Sequence, residues 1–339
     1  MIKANDIKKL KELLSKKKNI VITTHLNPDG DAMGSSLGLY NFLVKLKHNV
    51  TVVTPNDWPD FLAWLPGANK AVDAKAFPKK AHTLIQKADI VFCLDFNVLY
   101  RIDQLETIVG NSKAFKILID HHLQPGTFPD ITYSDTSASS TCQMVFEFIE
   151  AIGQKKLVDK KIATCLYTGI MTDTASLRFE SATPITYRIA AELIEAGAPK
   201  TTIHENVYDT FSENKMKLLG YSISSKLSAL HELKTAFISL SADELSHYNY
   251  KKGDTEGIVN YALSIKGIKF AAIFIERDDE IKMSFRSKGT FDVNTFARKH
   301  FGGGGHKNAA GAQSDLTLDE TISKFIALLA DYKAELSKK

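Results

Sequence analysis

Short β-branched and apolar runs alternate with stretches of helical spacing through the first half of the chain, and this alternation constrains the fold more than any other feature. Residues 19–24 (NIVITT), 50–54, 88–96 (ADIVFCLDF) and 115–120 (FKILID) read as strands. Helical spacing follows from Met33 onward and again over 158–170. Strands separated in this way predict a parallel sheet with helices on both faces, whose ligands gather where the strands end.

The strand ends carry an unusual set of side chains. THLNPDGDAMG (24–34) puts His25, Asp29 and Asp31 on a strand-to-helix loop. Two readings stand at this point. Asn-Pro-Asp-Gly is ordinary turn chemistry and Asp31 could cap the helix. Alternatively, an imidazole and hard carboxylates converge on a cation. Asp95 ends IVFCLD, and Asp120 ends KILID with His121 and His122 next. A carboxylate at a buried strand end is costly unless something pairs with it, and three strands delivering such groups to one edge favour the metal reading. Asp173, in TDT near a helix end, is a fourth acidic candidate.

The second half reads as a smaller α/β unit with its own core. A helix over 187–196 ends at Gly197, and a polar helical connector follows over about 201–230. Strands are expected at 235–241, 269–276 and 281–286, the last two joined by a hairpin turn at Arg277-Asp278-Asp279-Glu280, with a final helix over 318–336. The domain boundaries are therefore 1–200, a linker over 201–230, and 231–339. FGGGGHKNAAG (301–311) is either a hinge or a backbone nest for an anion, with His306 adding a donor and Arg286 a bidentate contact. It lacks the GK[ST] ending of a phosphate-binding P-loop.

Composition excludes several classes. At 339 residues and 44% hydrophobic content the chain suits one large domain or two ordinary ones, and a net charge of +4 gives no sign of a long nucleic-acid track. Three scattered cysteines without CxxC spacing read as reduced packing residues, no run is long enough to span a bilayer, and the Lys-rich segment 8–18 reads as an amphipathic first helix; a cytoplasmic protein is expected. Trp58 and Trp64 either stack on a base or pack a loop, the latter being the plainer reading.

HLNPDGDAMGSSLGL (25–39), Asp95, Asp120-His121-His122 and Thr172-Asp173-Thr174 together resemble the DHH phosphoesterase superfamily, and MSFRSKGTFDVNTFARKHFGGGGHKNAAGA resembles its DHHA1 companion domain. The match runs in order along nearly the whole chain, and the two-domain layout looks most like the NrnA type. The resemblance implies a parallel-sheet DHH domain, a helical linker and a smaller α/β DHHA1 domain. It also implies two divalent cations, Mn²⁺ above all, with a bridging hydroxide activated between them. By that analogy His25, Asp29 and Asp95 hold one cation, and Asp31, Asp95, His121 and Asp173 the other. His122 faces the scissile phosphate and Asp120 orients the histidines. Arg286, Gly303, Gly304, Gly305 and His306 grip the substrate, with Arg101 and Ser139 as helpers. The implied substrates are short RNA oligonucleotides and 3′-phosphoadenosine 5′-phosphate (pAp), and an apolar helix face of such a domain could pair two chains as a homodimer. A cyclic-di-AMP or linear pApA phosphodiesterase is the rival enzyme; an inactive nucleotide-binding regulator is the rival outside enzymes, and the full ligand set argues against it.

Overall fold

The computed structural model of the protein describes residues 3–277 and 280–338. The chain divides into two units, one ending at Thr210 and the other starting at Phe211. The helices Lys200–Tyr208 and Glu213–Ser225 and the strand Leu227–Leu230 occupy most of the stretch expected as a connector.

In the first unit, six strands form one sheet: β1 (Asn19–Thr23), β2 (Asn49–Thr54), β3 (Val72–Asp73), β4 (Ile90–Leu94), β5 (Phe115–Asp120) and β6 (Ile131–Ser134). Their order is β3-β2-β1-β4-β5-β6 and every neighbouring pair is parallel. All five residues of β4 are buried. Ile90, Phe92 and Leu94 enter one core with residues of the helices Gly30–Lys45, Thr141–Ala151 and Lys160–Asp173. Val91 and Cys93 enter the opposite core with the helix Pro78–Gln86. A strand covered on both faces must be apolar throughout, which explains why IVFCL shows no alternation. The chain runs outward from β1 to β3, then returns to place β4 on the other side of β1. The crevice beyond the ends of β1 and β4 is therefore the point where strand order reverses, the customary ligand position in open parallel sheets.

Three helices on the Ile90 face meet at unusually short range. A methyl group on Gly34 would lie 2.6 Å from the Cys165 carbonyl oxygen, and one on Gly169 would lie 2.1 Å from Cys142 Sγ. These glycines let Gly30–Lys45 and Lys160–Asp173 cross at backbone contact, so Asp31 at the start of one comes near Asp173 at the end of the other. Trp58 and Trp64 pack against this core, Trp64 donating to the Phe61 carbonyl at 2.6 Å, which favours loop packing over base stacking. All three cysteines are buried and free.

The second unit holds a mixed sheet built from β7 (Leu227–Leu230), β8 (Thr235–Leu240), β9 (Phe270–Arg277), β10 (Glu280–Ser287), β11 (Gly304–His306) and β12 (Ala309–Ser314), in the order β11-β12-β10-β9-β8-β7. Only β8 and β9 run parallel among its neighbouring pairs. Phe270, Phe285, Phe296 and Phe325 fill one face, with Phe270 and Phe325 edge-on at 5.4 Å. Arg277 pairs with Glu280, while Asp278 and Asp279 of the expected hairpin turn lie outside the described residues. The last expected helix is interrupted: Leu318–Leu329 passes through a tighter turn at Ala330–Tyr332 before Lys333–Ser337. No helix among the described residues is long and apolar enough to cross a membrane.

Candidate metal centre

The loop after β1 is shaped by its own polar groups. Leu26 N–H donates to the Arg101 carbonyl at 2.8 Å and Asn27 N–H to Asn56 Oδ1 at 2.7 Å, with Asn27 in the left-handed region. His25 Nδ1 pairs with the Leu26 carbonyl at 2.8 Å, and Nε2 lies 3.4 Å from Asp95 Oδ2 and 3.9 Å from Asp29 Oδ1. Asp29, not Asp31, caps the helix Gly30–Lys45: its Oδ1 accepts from Asp31 N–H and Ala32 N–H, each at 3.0 Å. The capping alternative for Asp31 is thereby overturned, because that residue lies inside the first turn with its side chain turned into the protein.

Asp31 is 2% exposed, and both of its oxygens are engaged. Thr141 N–H donates to Oδ2 at 2.6 Å and Cys142 N–H to Oδ1 at 2.9 Å. These belong to the first turn of Thr141–Ala151, whose amides and dipole favour an anion. Asp95 has φ of 63°, a left-handed conformation that aspartate tolerates better than most residues. Its Oδ1 accepts from Thr141 Oγ1 at 2.9 Å and lies 3.6 Å from His121 Nε2. That same nitrogen is 3.8 Å from Asp31 and 3.7 Å from Asp173, and His121 Nδ1 pairs with the Ala138 carbonyl at 3.3 Å.

Two ligand groups result, each with its donor atoms mutually within 4.8 Å: His25 with Asp29 and Asp95, and Asp31 with His121 and Asp173. Asp95 faces both groups. A third group joins Asp95 and Asp120 to His122. Asp120, fully buried, pairs with His122 Nδ1 at 2.7 Å and accepts its backbone N–H at 3.1 Å, which fixes the ring.

The crowding of charge has opposite effects on neighbouring acids. Burial raises the Asp31 pKa well above the usual carboxylate range, and Asp95 and Asp173 add to the shift. Burial acts the same way on Asp95, but its contacts with His25, His122 and His121 outweigh it and hold that carboxyl well below the ordinary range. Asp120 is pushed up to about 7 by burial and by Asp95, against the charges of His121 and Arg101. Burial favours neutral His25, yet its bond to Asp95 and the charges of Asp29 and Asp95 raise it overall. Four carboxylates, of which Asp31 and Asp95 are buried, and two imidazoles form a donor set that suits two divalent cations.

The remaining candidates are distributed as follows. The charge of Arg101 acts on both His25 and Asp120, placing it beside the cluster. Ser139 is 1% exposed and gives its hydroxyl to Gln143 Oε1 at 2.8 Å. In the second unit, Arg286 pairs with Ala309 across β10–β12 and His306 pairs with Ala309 across β12–β11. The two therefore share one row and one face, about 10 Å apart at two strand spacings. The glycine run is ordered rather than a hinge: Gly302 caps a helix in the left-handed region and Gly304–His306 is a strand. A methyl on Gly303 would lie 2.1 Å from the Gly311 carbonyl oxygen, so close strand approach accounts for that residue, and Gly305 N–H is spent on Asn294 Oδ1 at 2.9 Å.

Thr141 was not among the sequence candidates. Its signal is the S-x-x-Q pattern Ser140–Gln143, a helix start, in which Ser140 Oγ accepts from Gln143 N–H at 3.1 Å.

Residues 19–170 match the DHH family, N-terminal domain, and residues 234–335 match the DHHA1 domain. The chain is 31% identical over 297 residues to the bifunctional oligoribonuclease and PAP phosphatase NrnA of Bacillus subtilis, covering 86% of this chain and 88% of that one. It is 31% identical to the protein of the same name from Thermus thermophilus, covering 91% and 88%. The crystal structure of an exopolyphosphatase-related protein from Bacteroides fragilis superposes with a TM-score of 0.96 at 40% identity, over 100% of this chain and 99% of that one. With its paired acid and histidine groups at the end of a parallel sheet, the chain belongs to the DHH–DHHA1 phosphoesterases, metal-binding hydrolases, and has the two-domain architecture of their NrnA-type members.

Proposed function

We propose that this phosphoesterase is Mn²⁺-dependent, trims short RNA oligonucleotides to mononucleotides and removes the 3′-phosphate of pAp to leave AMP. The observation that carries the reading is the position of Asp95, with one oxygen 3.4 Å from His25 Nε2 and the other 3.6 Å from His121 Nε2. A carboxylate so placed could serve two cations at once. His25, Asp29 and Asp95 would hold one, and Asp31, Asp95, His121 and Asp173 the other. Mixed imidazole and carboxylate donors suit Mn²⁺ better than Mg²⁺ or Ca²⁺. Two bound cations neutralise the charge of a phosphoester and polarise it toward attack by water.

The chain's own groups do the rest. Asp120 holds His122 through Nδ1, so the ring is oriented before substrate arrives and stands ready to stabilise a phosphoryl oxygen or protonate a leaving alkoxide. Arg101 adds positive charge beside His25 and Asp120, which favours an anionic substrate. Arg286 and His306, on one face with the small Ala309 between them, would clasp a phosphate by charge-assisted hydrogen bonds, with the backbone of Gly303 to Gly305 leading into His306. The relatives named NrnA support short RNA and pAp as the substrates, and assembly as a homodimer in the cytoplasm completes the reading.

A turnover panel on metal-stripped and Mn²⁺-reloaded protein tests it, comparing pApA, a 5′-phosphorylated RNA pentamer, pAp, cyclic di-AMP and pyrophosphate. Mononucleotide release from pApA and the pentamer, with phosphate release from pAp, is expected. Cleavage confined to pApA and cyclic di-AMP would replace the reading with a signalling-dinucleotide phosphodiesterase. No turnover of any of the five would remove it.

A further inference from the structure

We propose that Thr141 is the positioning residue of the metal centre, a clamp that holds Asp31 and Asp95 in ligating geometry, and that Gln143 locks the clamp. The proposal rests on the metal-dependent phosphoesterase reading and concerns how the ligands are held. Asp31 and Asp95 belong to different elements, and as metal ligands both would be anionic, so neither could fix the other. Thr141 is bonded to both: its N–H reaches Asp31 Oδ2 at 2.6 Å and its hydroxyl reaches Asp95 Oδ1 at 2.9 Å. Neither bond serves the helix it begins. Ser140 already caps that helix, and the Thr141 amide is one of the first-turn donors that no intrahelical acceptor can satisfy. A threonine spent on the helix would turn its hydroxyl elsewhere.

The residues around Thr141 are fixed in turn. Gln143 Oε1 accepts from Ser139 Oγ at 2.8 Å, Ser139 N–H at 3.3 Å and Thr186 Oγ1 at 2.9 Å. Its Nε2 donates to Glu147 Oε1 at 2.9 Å, and Glu147 takes the Tyr133 hydroxyl on its other oxygen. Ser139, Ser140, Thr141 and Gln143 are all buried, so the bonds among them are made away from water, where a lost partner is expensive, while Glu147 at the rim is half-buried. The loop they immobilise also presents the Ala138 carbonyl to His121 Nδ1. A single short segment therefore orients three ligand residues from three elements: Asp31, Asp95 and His121. Outer groups of this kind fix ligand direction in metal sites, and their removal weakens metal affinity.

Thr141→Val keeps the shape and the amide but deletes the hydroxyl bond to Asp95. Calorimetric titration of the metal-stripped full chain with Mn²⁺ should show affinity about 10- to 100-fold weaker than wild type, and Thr141→Ser should restore it. At saturating Mn²⁺, kcat on pAp should fall while KM holds, because no substrate contact is touched. Should Thr141→Val fail to melt cooperatively when metal-free, Gln143→Met replaces it and carries the same expected loss of Mn²⁺ affinity. A folded Thr141→Val or Gln143→Met protein that binds Mn²⁺ as tightly as wild type overturns the role given to that residue. Wild-type protein that takes up no Mn²⁺ at all overturns the phosphoesterase reading itself, and this proposal with it.

Discussion

Gly169 abuts Asp31: a methyl group on Gly169 would lie 2.8 Å from Asp31 Oδ1 and 3.0 Å from its Cα. The bare backbone of one helix is thus the wall against which a buried carboxylate of another is set. Alanine at this position gains about 1 kcal/mol of intrinsic helix propensity. It also forces overpacking against Cys142 and Asp31, which costs about 1–3 kcal/mol and moves helix axes. The second effect wins. Gly169→Ala should lower the melting temperature and weaken Mn²⁺ binding together, because Asp31 and Asp173 ride on the two helices that must separate. Adding Cys142→Ala removes the 2.1 Å clash with Sγ and should recover part of the loss in both. A single variant with unchanged melting and Mn²⁺ affinity would show that the helices part without disturbing the ligands.

Asp95 bears on both ligand groups, so its charge should matter more than any other. Asparagine preserves its size and tolerates the left-handed backbone at φ 63°, which separates loss of charge from loss of fold. Asp95→Asn should still fold but melt below the metal-free wild type, because the attraction to His25, His121 and His122 is lost. It should also lose Mn²⁺ from both groups by elemental analysis and fall at least about 10³-fold in kcat/KM. Asp95→Ala should abolish turnover of every substrate. Retention of two Mn²⁺ per chain in either variant would rule out a shared ligand.

The metal-free protein should lose stability as pH rises. Asp31 and Asp120 have folded pKa values above those of the unfolded chain, Asp120 at about 7, so the folded state keeps protons that the unfolded state releases from about pH 4 upward. Raised His25 acts in the same sense: its contribution is present below about pH 6.5 and lost above. Asp95, held low, works in the opposite sense, but its contribution is already complete above about pH 4. Cations replace those protons and bind better as the ligands ionise. The gap in melting temperature between Mn²⁺-loaded and chelator-treated protein should therefore widen between about pH 5 and pH 8. A gap that stays constant across that range would disconnect the acids from the metal.

The strand ends were legible because a buried parallel strand is apolar throughout, so Asp95 after IVFCL and Asp120-His121-His122 after FKILI stand out in the letters. The edge strands were not. Val72–Asp73 is two residues long and Ile131–Ser134 four, too short for any period to show. Helix capping went to Asp29 because the helix begins at Gly30, three residues before the apolar spacing reveals it. Thr141 was hidden for a deeper reason. Its amide meets Asp31 across 110 positions, and a backbone N–H has the same identity in every residue but proline, so no letter announces it. The letters of the glycine run suggest a nest or a hinge, whereas Gly303 answers to a neighbouring strand that sequence spacing does not reveal.

On the proposed reading, Arg286 serves substrate binding and not metal binding. It lies on β10 in the second unit, whereas the His25, Asp95 and Asp31 groups lie in the first. A guanidinium bonded to a phosphate is worth about 1.5–3 kcal/mol, roughly 10- to 150-fold in affinity. Arg286→Ala should raise KM for pAp by about that factor, with two Mn²⁺ per chain retained and kcat reduced far less. Lysine should recover part of the loss, since it keeps the charge but not the forked geometry. The loss should also shrink for a substrate lacking the gripped phosphate, so comparing pAp with AMP as a competitive ligand identifies which phosphate the residue holds. Should Mn²⁺ content fall with Arg286→Ala instead, the residue supports the fold, and the grip on substrate must come from His306 or from Arg101 in the first unit.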